Sequence, residues 1–223
     1  MTKPIPYGIV SHSEKTTKDD IMKSIVTDLI EEYKESASYW SDSIFQSVTQ
    51  FSTDYKGKFG EELLFNYIKK HTKIPVQWEG DKNTAKADGV YDLWWTLPNG
   101  IKKRVEVKTS GRTVSKGKPV GWQHENVYYE DNKWDNIVFL DYDANDVMFV
   151  TVVDYNQIVD NNTIDLSLFG KRGHKRKNED KAKVDFSMKS IQYGIDKGLT
   201  FVYDFNNPDD VALSDFLEKK LEK

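Results

Sequence analysis

Residues 91–109 read YDLWWTLPNGIKKRVEVKT, and this stretch decides the fold. Residues 90–97 are aromatic and apolar, as a strand requires, and residues 101–108 read as the return strand, with charged residues among its apolar ones. Between them, PNG at residues 98–100 is typical of a turn, because proline presets φ and the other two residues tolerate positive φ. The sequence therefore predicts a β-hairpin at the centre of the chain.

The return strand of this hairpin has two different faces. Because side chains alternate along a strand, Arg104, Glu106 and Lys108 share one face, while Val105 and Val107 share the other. The valine face can pack on a helix. The opposite face then holds a carboxylate and an ammonium group two residues apart.

Folding the hairpin about its turn brings Asp92 near Val105 and Glu106, since cross-strand neighbours lie about 5 Å apart. Two carboxylates this close repel each other unless a cation lies between them. Mg²⁺ suits the position because it takes hard oxygen ligands and keeps water in its remaining positions. The alternative interpretation of the same residues is a hairpin whose polar face simply meets water.

The rest of the chain predicts helices on either side of a sheet, an α/β or α+β pattern. We favour α/β, with a central mixed β-sheet flanked by helices, and with residues 1–56 as an N-terminal helical elaboration of a core at 57–223. Five helices are predicted. One begins near Thr17 and another begins between Gly57 and Gly60, and the other three cover 41–51, 123–129 and 211–221. Further strands are predicted at 137–140, 147–153 and 199–203.

At this point the residues resemble a known family. Asp92, followed after thirteen residues by Glu106-Val107-Lys108, is similar to the motif of the PD-(D/E)xK nucleases. The stretch GKFGE at 57–61 resembles the acidic helix that precedes that motif, and Thr109-Ser110 and residues 135–139 are also similar. The resemblance covers about residues 57–153. The chain departs from the pattern at Tyr91, where the family has proline.

That departure leaves Asp88 as a competitor for the first acidic position. We favour Asp92, because it lies within the apolar strand, whereas Asp88-Gly89 is typical of a turn.

The resemblance implies a restriction-endonuclease-like fold and a set of roles. Asp92 and Glu106 would bind Mg²⁺, for which Mn²⁺ can substitute, and the Val107 carbonyl would add a ligand. Lys108 would orient or deprotonate the attacking water and stabilise negative charge at phosphorus. Glu61 would assist at a second metal or through water. The alternative for Glu61 is an ordinary acid near a helix N-terminus, which the helix dipole favours.

Double-stranded DNA is the partner that the resemblance implies. Although the net charge is −4, basic residues concentrate at 101–118 and 171–183. The residues predicted to contact DNA are Lys58, Thr109, Ser110, Arg112, Gln123, Lys171, Arg172, Lys175, Arg176 and Lys177. For 171–183 the alternative is a solvated surface loop. Gln123 and His124 follow the motif at a distance where the resembled family often places an auxiliary polar residue, and for them the alternative is a polar helix face.

Several classes of protein are excluded by what the sequence lacks. It has no cysteine, so disulfides and thiolate metal sites are impossible. It has no Gly-rich loop before Lys-Ser or Lys-Thr, so no nucleotide cofactor is expected. No apolar run of membrane-spanning length occurs, so a soluble cytoplasmic protein with no membrane partner is expected.

The sequence thus predicts a Mg²⁺-dependent DNA endonuclease, most simply a site-specific type II restriction enzyme acting as a homodimer. Two alternatives stay open. One is a phage or repair nuclease that acts on branched, damaged or modified DNA. The other is a non-catalytic binding domain on the same fold.

Overall fold

The computed structural model describes residues 18–78, 91–128, 134–154 and 181–221. Its helices are α1 (Lys18–Tyr39), α2 (Gln46–Thr49), α3 (Thr53–His71), α4 (Met188–Asp196) and α5 (Asp210–Leu221). Its strands are β1 (Val76–Trp78), β2 (Leu93–Thr96), β3 (Lys102–Gly111), β4 (Val114–Ser115), β5 (Lys118–Pro119), β6 (Trp122–Tyr128), β7 (Asn136–Asp143), β8 (Val147–Asp154), β9 (Lys181–Phe186) and β10 (Thr200–Asp204).

Six of these strands form a mixed sheet in the order β1-β2-β3-β7-β8-β10. Strands β3 and β7 pair parallel, whereas the other neighbours in this sheet pair antiparallel. The predicted hairpin is present as β2 and β3, with Leu93 opposite Val105. The prediction of an α/β fold with a central mixed sheet and flanking helices is confirmed.

The sheet buries both faces. On one face, Val105 and Val107 pack in a core with Leu64 and Ile68 of α3 and with Leu217 of α5. The other face has its own core, formed by residues of β6 to β9 with α4, including Trp122, Ile137, Phe139, Phe186 and Ile191. The valine face of β3 therefore meets a helix, as the alternation predicts.

Helix α3 lies unusually close to β3. A Cβ added at Gly60 would lie 1.7 Å from Oγ1 of Thr109, so no other residue type fits there without displacement. The helix also begins earlier than the glycines suggest, at Thr53, because the Ser52 side chain caps it by accepting from the amide of Tyr55. The predicted division at residue 56 stays a prediction, with α3 running through that point.

Two predicted helices were wrong. The one at 123–129 is strand β6, which pairs with β9, and its buried Trp122 and His124 flank the exposed Gln123, as strand alternation requires. Between 41 and 51 only the short α2 is helical. Strand β3 also continues past its predicted end at Lys108 to Gly111, because β7 offers it a partner along that length.

Helix α1 is anchored at its C-terminal end. The hydroxyl of Tyr39 donates to the carboxylate of Asp143, and the adjacent Trp40 is buried in the first core. Just beyond, Asp146 accepts from the Ser43 hydroxyl and from the Ile44 amide. In the described ranges, no helix has both the length and the apolar character needed to cross a membrane.

Candidate active site

Asp92 precedes β2 and is bound to β3 by two hydrogen bonds. Its amide donates to the Val105 carbonyl at 2.8 Å, and its Oδ2 accepts from the Val107 amide, also at 2.8 Å. Strand β2 itself pairs with β3 only as far as Leu93 and Val105. The Asp92 side chain therefore continues the hydrogen-bond ladder of β3 beyond the end of β2. This bond holds the Asp92 carboxylate beside Val107, and Asp92 is only 2% exposed.

Glu106 and Lys108 lie on the face of β3 opposite the valines. Glu106 is 4% exposed, and its carboxylate forms a close ion pair with the Lys108 ammonium. The Lys108 side chain is itself only 17% exposed. A buried carboxylate is costly unless it is paired, and Lys108 supplies that pairing.

These side chains share a cleft of about 960 Å³. Its floor is β3, one wall comes from α1 and α3, and the other from β6. The structure brings every predicted catalytic residue to this cleft, which is lined by Glu61, Asp92, Glu106, Val107 and Lys108.

Glu61 reaches the cleft from α3. Its Oε2 accepts a hydrogen bond from Trp78 Nε1 at 3.1 Å. Because α3 begins at Thr53, Glu61 lies beyond the first turn, where the helix dipole has little effect. The interpretation of Glu61 as a helix N-terminal acid was therefore wrong, and its orientation comes from the contact with Trp78.

The donor set fits a hard divalent cation. The Val107 amide points to Asp92, and in an extended strand the carbonyl of the same residue points to the same edge. Within the described ranges, no three acidic or histidine side chains come together as a closed metal cage. Mg²⁺ does not need one, since it is usually held by one or two carboxylates and keeps several waters. Asp92, Glu106 and the Val107 carbonyl are the groups that would hold it.

Among solved proteins, the chain is similar to the bacterial homing endonuclease I-Ssp6803I. The superposition covers 61% of this chain and 78% of that one, at 15% identity and a TM-score of 0.38. No family model and no curated protein matches the sequence. At this TM-score the likeness carries no argument about fold or activity.

Five of the ten residues predicted to contact DNA lie among the described residues. Lys58 and Gln123 are exposed and line the cleft, so they are available to a ligand. Thr109 and Ser110 also line it, but Thr109 lies against Gly60, and the Ser110 hydroxyl accepts from the Gln123 amide at 3.2 Å.

Arg112 already has a partner within the protein. Its Nη1 lies 2.7 Å from Oδ2 of Asp143, and its guanidinium lies over the ring of Trp122, 5.0 Å from the centroid. The remaining predicted residues, Lys171, Arg172, Lys175, Arg176 and Lys177, lie outside the described residues, as does Asp88.

The sequence did not predict that His124, which lines the cleft, is buried against Asp141. His124 Nε2 lies 2.8 Å from Oδ1 of Asp141, with the two side chains 1% and 0% exposed. The two atoms are close, but their arrangement is not that of a well-aligned hydrogen bond. Burial raises the pKa of the Asp141 carboxyl above its usual range, and His124 opposes that shift. The available signal was Asp141, which directly follows the apolar run 137–140.

Proposed function

We propose that this protein is a Mg²⁺-dependent DNA endonuclease that hydrolyses phosphodiester bonds, and that it cuts at specific sites, as a type II restriction enzyme does. One observation carries the proposal. The hydrogen bond from the Val107 amide to Asp92 holds one carboxylate against the very strand that presents Glu106 and Lys108 to the cleft. A surface hairpin would have no reason to bury both carboxylates at an opening of this size.

Each residue then has a defined task. When bound, Mg²⁺ would lower the pKa of a coordinated water and offset charge on the phosphate. Glu106 holds the Lys108 ammonium at the cleft, where it can donate to the attacking water or to a phosphate oxygen. Glu61, oriented by Trp78, can accept a hydrogen bond from a second water.

The test is cleavage of plasmid and phage DNA at low salt, with and without Mg²⁺, by the wild type and by Glu106→Gln. Glutamine keeps the shape of the buried side chain, so loss of cleavage with retained folding would assign the carboxylate to the chemistry. Glu62→Gln changes a half-exposed carboxylate of the same helix as Glu61 and serves as the matched control. We expect Lys108→Ala to abolish cleavage while DNA binding survives. Equal cleavage by that variant would contradict the assignment.

The products distinguish the alternatives. Discrete fragments that disappear in Glu106→Gln indicate a site-specific endonuclease, and a smear indicates a nuclease without sequence choice. Cleavage only of branched, damaged or modified DNA indicates a phage or repair nuclease. No cleavage of any of these, together with no Mg²⁺ binding by calorimetry, indicates a non-catalytic binding domain.

We also propose that the enzyme is a homodimer, because a twofold protein matches the two strands of a duplex. Helix α1 supports this, since it exposes a stripe of large apolar side chains: Ile25, Val26, Leu29, Ile30 and Tyr33, each 47–75% exposed. Light scattering of the wild type and of Leu29→Glu tests it. The control is Val211→Glu, a similar change on the exposed side of α5. A wild-type monomer would refute the dimer without affecting the chemistry.

A further inference from the structure

Strands β6 and β9 form a two-stranded ribbon beside the cleft. One face of the ribbon is buried against the main sheet: Trp122, His124, Val184 and Phe186. The other face carries polar side chains: Gln123, Glu125, Lys183 and Asp185. The ribbon therefore presents a row of hydrogen-bonding groups on a rigid apolar support.

The chemistry of this polar face is mixed. Lys183 Nζ donates to Oε1 of Gln123 at 3.1 Å and lies 4.0 Å from the carboxylate of Glu125. A surface built to grip phosphates would be predominantly cationic, whereas this one alternates donors and acceptors. Base edges in the major groove present such a mixed pattern, in which glutamine suits adenine, lysine suits guanine and a carboxylate suits cytosine.

The polar face also lies next to the proposed site of cleavage. Gln123 is joined to β3 through the hydrogen bond of its amide to Ser110, two residues beyond Lys108. Two residues along a strand span about 7 Å, and two base-pair steps along a duplex span about the same distance. Both Gln123 and Glu125 line the same cleft as Lys108.

A β-bulge directs the end of this face toward the cleft. The pairing of β6 with β9 shifts register between His124 and Val127, and Asn126 takes a positive φ of 57°. Glu125 and Asn126 are exposed at this bulge and line the cleft. Bulges of this kind re-aim side chains and are frequent beside active sites.

We propose that the polar face of the β6–β9 ribbon enters the major groove of duplex DNA and reads base edges next to the scissile phosphate, with Gln123 and Lys183 as the main specificity-determining residues. The major groove, about 12 Å wide, admits a two-stranded ribbon. This inference rests on the proposed endonuclease function and adds the element that selects the sequence.

The experiment is a binding selection from duplex DNA with a randomised segment, in Mg²⁺, using the intact chain with Lys108→Ala so that the bound DNA is not cut. Gln123→Ala and Lys183→Ala are added singly to this background. The matched controls are Gln192→Ala and Lys189→Ala, two exposed residues of α4 that do not line the cleft.

We expect the parent to select a defined sequence and each ribbon variant to relax it about tenfold or more at one or two positions, within about three base pairs of the cut made by the wild type. The controls should leave the selected sequence unchanged. A defined sequence that the ribbon variants leave unaltered would overturn the proposal and leave the proposed function intact. Binding without any sequence preference would also overturn it, and would remove the site-specific part of the proposed function while leaving phosphodiester cleavage untouched. Absence of both DNA binding and wild-type cleavage would instead remove the proposed function and this inference together.

Discussion

The carboxylate of Asp92 accepts a 2.8 Å hydrogen bond from the main-chain amide of Val107. The bond joins the first proposed metal ligand to the residue between Glu106 and Lys108, so the spacing of the site is set by one side chain and one strand. Asp92 is therefore a structural residue as well as a candidate ligand, and substitutions there must be chosen to separate the two roles.

Asp92→Asn should separate them. The amide oxygen of asparagine can still accept from Val107, so folding should be retained, while loss of the charge should lower Mg²⁺-dependent cleavage by about a hundredfold or more. Asp92→Ala should in addition cost about 1–3 kcal/mol of stability, because the buried Val107 amide loses its acceptor. Urea unfolding and a cleavage assay on both variants check this. Full cleavage by Asp92→Asn would show that the carboxylate is only structural.

Gly60→Ala and Gly57→Ala should have opposite effects, although both lie in α3. A Cβ at Gly60 would meet Thr109, and overpacking of this kind costs about 1–3 kcal/mol. A Cβ at Gly57 meets nothing within 4 Å, so alanine there should stabilise the helix by about 0.4–1 kcal/mol. The free energies of unfolding in urea give both values. Equal effects at the two positions would mean that α3 does not rest directly on β3.

Arg112→Ala should destabilise the fold rather than weaken phosphate binding. It would leave Asp143, whose side chain is 4% exposed, as an uncompensated charge, and breaking such a buried pair costs about 3–5 kcal/mol. The salt dependence of DNA binding should be unchanged, whereas Lys58→Ala, at a half-exposed lysine of the cleft, should reduce its slope by about one. A stable Arg112→Ala protein whose DNA binding depends less steeply on salt would instead support the prediction that Arg112 contacts DNA.

The Asp141 carboxyl should make the wild type lose stability as pH rises. Its folded-state pKa is raised by burial, so its stabilising contribution is complete below the unfolded pKa of about 3.9 and is lost as pH rises through the folded value. Asp141→Asn lacks this titration. The stability of the wild type relative to this variant should therefore fall as pH rises above about 4. Urea unfolding of both proteins at a series of pH values measures this difference in stability. A difference that instead grows with pH would show that the effect of His124 on the Asp141 pKa exceeds the effect of burial.

The hairpin and the positions of its candidate catalytic residues could be predicted because their interactions are local. Alternation along β3 fixes which face holds Glu106, and the turn at 98–100 fixes the register that brings Asp92 to Val105. Both follow from neighbours in sequence. The same reasoning placed α3 too late, because a residue outside the apolar pattern, Ser52, supplies its cap.

The remainder depends on distant partners that no local pattern reveals. Residues 122–128 form a strand only because β9 pairs with them, and in isolation their polar residues favoured a helix. Arg112 looked free to bind phosphate because Asp143 is brought to it only by the parallel pairing of β3 and β7. His124 looked like a surface residue because Asp141 comes from the same distant strand.

The two parts of the cleft also differ in the length of chain that must be closed to form them. Strands β2 and β3 are joined by the short turn at 98–100, whereas β6 meets β9 only across residues 129–180. Loop closure costs more conformational entropy as the loop lengthens, and local pairings tend to form before distant ones. During refolding, the Val107 amide should therefore become protected from hydrogen exchange before the amides of β6 do. A newly made chain would acquire its carboxylate pair early and its ribbon late, so the surface proposed to read DNA would be completed after the hairpin.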